Sequence, residues 1–333
     1  MRLSLCFMGI APIASTLPAV LAAERFGLDG VWSAEHIGFR DAIVPSAIYL
    51  RETERLGVSV VGISTAGRHP GLIAMELSSL AEIGPGRVRV QVGTGDPSLV
   101  AKLGRKIERP ARSTEALVTA LRDALAGREM SGEHSGYAFR GFRVTPVASP
   151  PPVDVMAVRP RMVRTAARFG DGLSISMGAS PAYLVETVRD VERELAAQGR
   201  DRGSFRIAAA ALGVIADDPD AVCRQVAPLF SMFEPSMLEY LARGVFEPGT
   251  LVGAAQSGGT PAVIGLLTPA VIDAMALVAT PESLGKALER YAATGIDELA
   301  VSIAAAPEEQ AKVVEQLARA RVMLERGERR SKQ

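Results

Sequence analysis

The chain has 333 residues, of which 48% are hydrophobic and 22% are charged, so it can bury a large core in two domains or in one barrel-sized domain. Lysine plus arginine number 37 and aspartate plus glutamate also number 37, which argues against nucleic acid or an anionic membrane surface as the partner. No apolar run reaches the roughly 18 residues that a membrane span needs. The composition therefore points to a small molecule, or to another protein, as the partner.

The N-terminal segment, residues 1–16, is apolar from residue 3 but lacks the charged region that opens a secretory signal, so we interpret it as a first buried strand. The two cysteines, Cys6 and Cys223, lie far apart in the chain and do not suggest a disulfide framework. Together these features predict a cytoplasmic protein with reduced thiols.

Short β-rich runs alternate with longer helical patterns along the chain, and eight such runs are counted. The first four predicted strands are residues 2–9, 29–35, 57–64 and 87–93, with helices at residues 13–26, 45–55, 69–84 and 111–126. The last four are residues 151–158, 171–177, 205–216 and 296–304, with helices at residues 160–169, 281–293 and 307–325.

Three segments stand outside this alternation. Residues 128–147 have no helical period and carry aromatic residues between glycines, which predicts a hairpin insertion. Residues 230–278 are rich in glycine and proline and predict a second insertion, irregular and helical only in parts. Residues 327–333 are interpreted as a frayed polar tail.

Eight strands that alternate with helices match a (β/α)8 barrel, and the near-continuous apolar strands suit a parallel sheet that is buried on both faces. We therefore predict a single α/β domain over residues 1–326, a (β/α)8 TIM barrel with the two insertions. An open, doubly wound sheet is the structural alternative, because periodicity alone does not show that the sheet closes.

In (β/α)8 barrels the active site lies at the C-terminal ends of the strands, so the residues that follow each strand are the candidates for function. The informative strand ends are Glu35-His36, Ser64-Thr65, Gly93-Thr94-Gly95-Asp96, Arg159-Pro160 and Met177-Gly178-Ala179.

The turn after strand four, from Gly93 to Asp96, supports two interpretations. Its two glycines would let the backbone approach a flat or phosphorylated ligand, with Thr94 and the exposed N–H groups as donors and Asp96 at the pocket edge. Alternatively, the segment is an ordinary tight turn in which Asp96 caps the next helix. It is not the dinucleotide fingerprint, which needs a third glycine in a segment that opens a helix directly.

His36 is one of three histidines, and none of their spacings suits a zinc site, so we expect no metal. A lone histidine is more often structural, but beside Glu35 at a strand end His36 can donate to a cofactor or move protons. The chain carries no nucleophile elbow and no P-loop. The candidate site thus offers backbone donors, one histidine and one carboxylate, but no nucleophile. This combination favours an enzyme whose cofactor supplies the chemistry.

Five segments carry a family resemblance that covers nearly the whole chain. They are AERFGLDGVWSAEH at residues 23–36, RHPGLIAMELSSLAEIGPGRVRVQVGTGDP at 68–97, ERPARSTEALVTALRDALAG at 108–127, RMVRTAARFGDGLSIS at 161–176, and TPAVIDAMALVATPESLGKALERYAATGIDELAVSI at 268–303. In this order they resemble the bacterial luciferase-like superfamily, particularly the branch that uses the deazaflavin coenzyme F420. That branch includes methylenetetrahydromethanopterin reductases and F420-dependent glucose-6-phosphate dehydrogenases.

The resemblance implies a homodimer and a barrel with a flavin-type cofactor in its mouth, ring inward and phosphate tail outward. His36, beside Glu35, falls on a position that similar enzymes use near the reactive ring, and Asp96 on an acid near the pyrimidine edge of the ring. These three residues are the predicted catalytic set. The predicted cofactor-binding set is Ser59, Val60, Val61, Gly62, Gly93, Thr94, Gly95, Val158, Arg159 and Met177.

The resemblance also implies a non-prolyl cis peptide at the end of strand three. Counting from the start of the strand places it at Ser59-Val60, and counting back from the following helix places it near Val61-Gly62. Such a bond costs about 3–4 kcal/mol and persists only where it has a role.

Two positions depart from the family pattern. Arg40 stands four residues after His36, where the sugar-phosphate dehydrogenases have tryptophan, so their mechanism and substrate are not transferred. Val158-Arg159-Pro160 stands where the family commonly has Ser-Gly-Pro. Arg159 would either bind the cofactor phosphate by charge or fill the space that the phosphate needs, and in the second case the barrel would have lost its cofactor.

The first functional hypothesis is an F420-dependent oxidoreductase that transfers a hydride between the cofactor and a small organic substrate. An FMN-dependent luciferase-like monooxygenase is the alternative, and VGTGDP at residues 92–97 favours the deazaflavin branch over it. A cofactor-free ligand-binding relative is the alternative of another class, which the aromatic content of 5% allows. Substrate specificity is expected to lie in residues 39–45 and in the two insertions.

Overall fold

The computed structural model describes the backbone of residues 1–331 and the side chains through Met323. The strands in this range are β1 (Arg2–Phe7), β2 (Gly30–Ala34), β3 (Gly57–Ser64), β4 (Val88–Gly93), β5 (Met130–His134), β6 (Tyr137–Phe142), β7 (Val153–Met156), β8 (Gly172–Ile175), β9 (Arg206–Ile215), β10 (Leu277–Ala279) and β11 (Glu298–Ile303).

Eight of these described strands close into a parallel barrel. Hydrogen-bonded neighbours follow the order β1, β2, β3, β4, β7, β8, β9 and β11, and β11 pairs again with β1. This closure confirms the predicted (β/α)8 barrel and rules out the open sheet. β10 extends the barrel wall at the end of β9, where Gly213 pairs with Ile303 of β11 on one side and with Leu277 of β10 on the other.

Helices cover the outside of the barrel. They are α1 (Ile13–Phe26), α2 (Ile43–Glu52), α3 (Pro70–Ile83), α4 (Pro97–Ala101), α5 (Pro110–Leu125), α6 (Pro160–Phe169), α7 (Pro181–Ala197), α8 (Pro219–Phe230), α9 (Pro235–Leu241), α10 (Thr250–Leu266), α11 (Pro269–Asp273), α12 (Leu284–Ala292) and α13 (Pro307–Ser331). Among the helices described, none combines the length and the apolar character that a membrane crossing requires.

The alternation along the strands separates two layers of side chains. Outward residues pack against the helices and are fully buried, as Val31, Val60, Val90 and Val155 show. Inward residues fill the barrel, and one inward cluster combines Cys6, Trp32, Ala34, Val61, Ala208 and Ala300. The helices and the side chains inside the barrel therefore bury the sheet on both faces, as predicted for parallel strands.

The two predicted insertions differ in character. Residues 128–147 contain the antiparallel hairpin of β5 and β6, as predicted. Residues 230–278 are more regular than predicted, because they contain α9, α10, α11 and β10. The glycines of this segment obscure its helical pattern, and α10 consists of two helical parts divided at Gly259, where the backbone is not helical and φ is 62°.

The last helix is longer than predicted. α13 reaches Ser331 instead of residue 325, so the predicted polar tail begins inside a helix. Residues 317–331 contain one glycine and no proline, so little in the local sequence ends the helix earlier. The end of that tail, residues 332–333, lies outside the described residues.

Charged residues fill the N-terminal end of the barrel. Arg206, at the start of β9, donates from Nη2 to Asp154 Oδ2 and from Nη1 to Glu298 Oε2, both at 2.7 Å. Glu298 Oε1 also accepts from Trp32 Nε1 and from Ser4 Oγ, both at 2.8 Å. The side chains of Asp154 and Glu298 are 0% and 3% exposed. This ionic layer is the floor of the barrel, at the end opposite to the expected active site.

Candidate active site at the barrel mouth

His36 follows β2 at the C-terminal end of the barrel and is half-buried. Its Nδ1 lies 2.9 Å from the backbone oxygen of Met8. Because a carbonyl oxygen only accepts hydrogen bonds, Nδ1 carries the proton of the neutral ring. Nε2 is then the atom of His36 that can accept a hydrogen bond or take up a proton.

The loop that holds His36 is fixed by close packing between two strand ends. Gly9 has a φ of 70°, and a Cβ on it would lie 2.5 Å from the backbone oxygen of Ala34. The backbone N–H of Arg40 donates to Gly9 O at 3.3 Å, and the Arg40 guanidinium donates to Ile10 O. The loops after β1 and β2 therefore form one unit that orients the imidazole.

Glu35, the second predicted catalytic residue, is held by a bidentate ion pair. Both of its carboxylate oxygens accept from Arg68, at 2.7 Å each. Arg68 also lies 3.5 Å from Glu76 through Nε. The hydrogen bonds to Glu35 raise the pKa of Arg68 and outweigh the opposing effect of burial. Glu35 thus anchors Arg68 beside the mouth, and a proton-transfer role for it stays a prediction.

The end of β3 bends through a glycine bulge and not through a cis peptide. The described chain contains no cis peptide bond, so the predictions at Ser59-Val60 and at Val61-Gly62 are both wrong. The register against β4 shifts between Val61 and Ile63, and Gly62 adopts a φ of 85°. A Cβ on Gly62 would lie 2.7 Å from the backbone oxygen of Glu35. Only glycine fits here, and its left-handed backbone makes the bend that a cis bond would otherwise supply.

The other predicted residues of β3 lie at different levels. Val60 is fully buried in the main core, on the outer face of the strand, so its side chain points away from the inside of the barrel. Val61 belongs to the inward cluster. Ser59 pairs in register with Trp32 and with Arg89, which places it close to the floor.

Gly93, Thr94 and Gly95 form a turn braced by the end of β3. Ser64 Oγ donates to the backbone oxygen of Thr94 at 2.9 Å, and the N–H of Thr65 donates to Gly93 O at 2.9 Å. Gly95 has a φ of 74°, and a Cβ there would lie 3.2 Å from Ser64 Oγ. The N–H groups of Thr94 and Gly95 have no acceptor among the described residues. This turn therefore offers two oriented backbone donors.

Asp96 caps the next helix, as the second interpretation of the turn predicts. Its Oδ1 accepts from the N–H of Ser98 at 2.7 Å, from Ser98 Oγ at 2.5 Å and from the N–H of Leu99 at 3.3 Å. The cap fixes the start of α4 next to the turn of Gly93 to Gly95. A direct role for Asp96 near a ring stays a prediction.

The residues after β7 and β8 lie towards α9. Arg159 is exposed, and its Nη2 donates to Ser236 Oγ at 2.8 Å while the guanidinium lies 5.3 Å from the ring centroid of Tyr240. Val158 O accepts from Tyr183 Oη at 2.5 Å. Met177 is half-buried against the apolar cluster around α8 and α9. The Arg159 side chain is therefore held at the surface and does not fill the barrel.

Two buried polar side chains inside the barrel were missed by sequence reasoning. Gln91 and Ser174 are both 0% exposed, and neither the Gln91 amide nor the Ser174 hydroxyl has a hydrogen-bond partner among the described residues. Gln91 pairs in register with Val61 and Asp154, so it points inward. A polar residue within the apolar alternation of β4 was the available signal, since unpaired buried amides are rare in native proteins.

The fold and this site define a (β/α)8-barrel protein that has an oriented histidine and free backbone donors at its mouth, and two unpaired polar side chains inside the barrel. Residues 7–298 match the model of the luciferase-like monooxygenase family. The chain belongs to this family, which confirms the predicted resemblance.

Named relatives and a solved structure agree with this assignment. The chain is 25% identical over 287 residues to 5,10-methylenetetrahydromethanopterin reductase of Methanolobus tindarius, covering 83% of this chain and 86% of that protein. It is 32% identical over 198 residues to F420-dependent glucose-6-phosphate dehydrogenase of Beutenbergia cavernae, covering 55% and 58%. The structure of coenzyme F420 dependent tetrahydromethanopterin reductase from Methanopyrus kandleri is similar at a TM-score of 0.80 and 18% identity, covering 95% and 97%. At this identity the structural likeness shows the fold.

Proposed function

We propose that the protein is an F420-dependent oxidoreductase that transfers a hydride between the deazaflavin and a small organic substrate. The observation that carries the proposal is the orientation of His36 at the mouth of a barrel whose relatives are named for F420 or for a methanopterin reduction. When bound, F420 supplies the hydride chemistry, which no protein side chain provides.

The residues present fit an extended ring cofactor. The unpaired amide of Gln91 and the unpaired hydroxyl of Ser174 would be satisfied by a ring that has both carbonyl and N–H edges. The N–H groups of Thr94 and Gly95 would donate hydrogen bonds to anionic or carbonyl oxygens of the cofactor. The bulge at Gly62 would form the surface on which the cofactor ring lies. We propose that these five residues hold the ring.

His36 is the proposed proton carrier of the site. Its Nε2 would take up a proton from the substrate, or return one, while Nδ1 stays bonded to Met8. We propose that Asp96 and Glu35 act mainly by position, because their oxygens hold α4 and Arg68. Arg159, exposed beside α9, is proposed to attract the phosphate tail by charge, together with the backbone after Val158.

Replacing Gly95 with alanine is expected to weaken the binding of oxidised F420 by about tenfold or more, a loss of roughly 1.4 kcal/mol. A Cβ at this left-handed position would press on Ser64 and displace the backbone donors of the turn. Gly104→Ala is the matched control, because Gly104 also has a positive φ, of 66°, but has open space around it. Titration by F420 fluorescence measures both. Equal affinity of Gly95→Ala and Gly104→Ala would place the cofactor elsewhere.

An FMN-dependent monooxygenase is the second candidate, favoured by the description of the family itself. It predicts tightly bound yellow flavin instead of F420. A cofactor-free ligand-binding relative is the candidate of another class, in which the Arg159 side chain, held by Ser236, fills the space of the cofactor phosphate. It predicts that neither F420 nor FMN binds.

We also propose a cytoplasmic homodimer. α3 exposes Leu72, Met75 and Ile83 along its length, at 54%, 51% and 44% exposure, which is an apolar face suited to a second copy. The double replacement Leu72→Lys with Met75→Lys is expected to shift the protein to a monomer in light scattering after gel filtration. Leu229→Lys, on α8, is the control and leaves the mass unchanged. A monomeric wild type would contradict the proposal.

A further inference from the structure

A cavity of ≈ 240 Å³ lies outside the barrel wall. It is bounded by β1 and β11 on one side and by α1, α2 and α13 on the other, and its apolar lining includes Leu5, Phe7, Ile13, Pro45, Val301 and Ile303. A buried apolar cavity of about 150 Å³ holds benzene, so this one has room for a ring or a short chain and for a small polar group.

Arg40 is the charged residue of the lining. Its guanidinium donates to the backbone oxygen of Ile10, and no carboxylate in the described part of the chain forms an ion pair with it. The neighbouring Asp41 is engaged at α2, where its Oδ1 accepts from the N–H groups of Ile43 and Val44 at 2.8 and 2.9 Å. An apolar cavity thus ends at a guanidinium whose charge is not balanced by a nearby acid.

The hydroxyls of Thr16 and Tyr49, which also line the cavity, are used in hydrogen bonds, whereas the buried amide oxygen of Gln310 is an acceptor without a partner among the described residues. Thr16 Oγ1 donates to Ile13 O at 2.7 Å, so its single hydrogen is used. The contact of 2.6 Å between Thr16 Oγ1 and Tyr49 Oη is therefore a hydrogen bond that Tyr49 donates. Neither hydroxyl is left to donate to a ligand, so Arg40 is the charged donor that would recognise an anionic end.

We propose that this cavity binds a small monocarboxylate with an apolar body, of the arylacetate or short-chain fatty acid class. The carboxylate pairs with the guanidinium of Arg40 and the apolar body packs between β1 and α2, against Phe7 and Pro45. The site goes beyond the proposed oxidoreductase function, since it lies behind the barrel wall and needs no cofactor.

The test is calorimetric titration of the protein, without cofactor, with phenylacetate, hexanoate and phenylacetamide, the neutral isostere of the first. Both acids are expected to bind, and phenylacetate more tightly than the amide by about tenfold or more, because a charge-assisted hydrogen bond is stronger than a neutral one. Arg40→Gln is expected to remove this preference and to leave the affinity for the amide within about twofold. Arg51→Gln, an exposed arginine at the end of α2, is the control and keeps the preference.

A second variant tests whether the acid and the amide occupy this cavity. Ala11, exposed at the cavity opening, is replaced by tryptophan, which is expected to block both the acid and the amide. The proposal is overturned if neither acid binds at millimolar concentration, if acid and amide bind equally, or if Arg40→Gln leaves the affinity for phenylacetate unchanged. None of these outcomes bears on F420 binding at the mouth.

Discussion

Replacing Arg206 with methionine is expected to lower the free energy of unfolding by about 3–5 kcal/mol. The guanidinium neutralises two carboxylates that are 0% and 3% exposed, so its loss leaves Asp154 and Glu298 buried without this shared counter-ion. Urea unfolding followed by circular dichroism measures the change. Arg168→Met is the control, because Arg168 pairs with Glu194 at the surface and is 57% exposed, where an ion pair contributes about 0–1 kcal/mol.

The pH dependence of the folding stability independently tests whether the floor of the barrel is an ionic layer. Burial alone would raise the pKa of Glu298, but Arg206, Arg2 and the hydrogen bonds from Trp32 and Ser4 hold that pKa below its ordinary value. A lowered folded-state pKa contributes stability above the unfolded pKa, and that stability is lost as the pH falls through the folded value. Without Arg206, acidification from neutral pH should therefore cost the protein less stability than in wild type.

Glu298→Gln tests the same interpretation by rescue. Combined with Arg206→Met, it removes one uncompensated charge and is expected to restore part of the lost stability. If Arg206→Met destabilises no more than Arg168→Met, or if adding Glu298→Gln makes it worse, the floor is not an ionic layer of the kind inferred.

His36→Asn is expected to reduce the turnover of any substrate that wild type converts with F420 by about 100- to 10,000-fold. Asparagine can keep a donor near Met8 O but has no atom that takes up a proton near neutral pH. The dissociation constant for F420 should change little, which separates proton transfer from cofactor binding. His134→Asn is the control, because His134 pairs with Asp123 near the hairpin at 2.5 Å and has no place at the mouth.

The pH profile adds a signature that a structural histidine would not give. The dependence of turnover on pH should change in His36→Asn, because the proposed proton carrier is absent from that variant. An unchanged rate and profile would make His36 a residue that only joins the loops after β1 and β2.

Local patterns were enough to predict the barrel. β3 was predicted at residues 57–64 and α6 at residues 160–169, and both have these bounds, because apolar alternation, glycine and proline mark them locally. β10 was not predicted. Three residues are too few to show a hydrophobic alternation. The strand forms because Leu277 pairs with Gly213 at the end of β9.

The site was only partly predictable, because its decisive contacts join distant residues. His36 and the turn from Gly93 to Asp96 follow strands and could be found from the order of elements. The pairing of Arg68 with Glu35 at the mouth spans 33 positions, and no local signal marks it. The cis peptide was wrongly transferred from the family, since glycine at position 62 bends the strand with a trans backbone.

The measurement that tests the central claim most directly is a fluorescence titration of the wild-type protein with oxidised F420 and, separately, with FMN. The wild-type protein is expected to bind F420 saturably and FMN more weakly, and Gly95→Ala, but not Gly104→Ala, is expected to lose F420 affinity. Tight FMN binding without F420 binding, or the absence of binding to either, would contradict it.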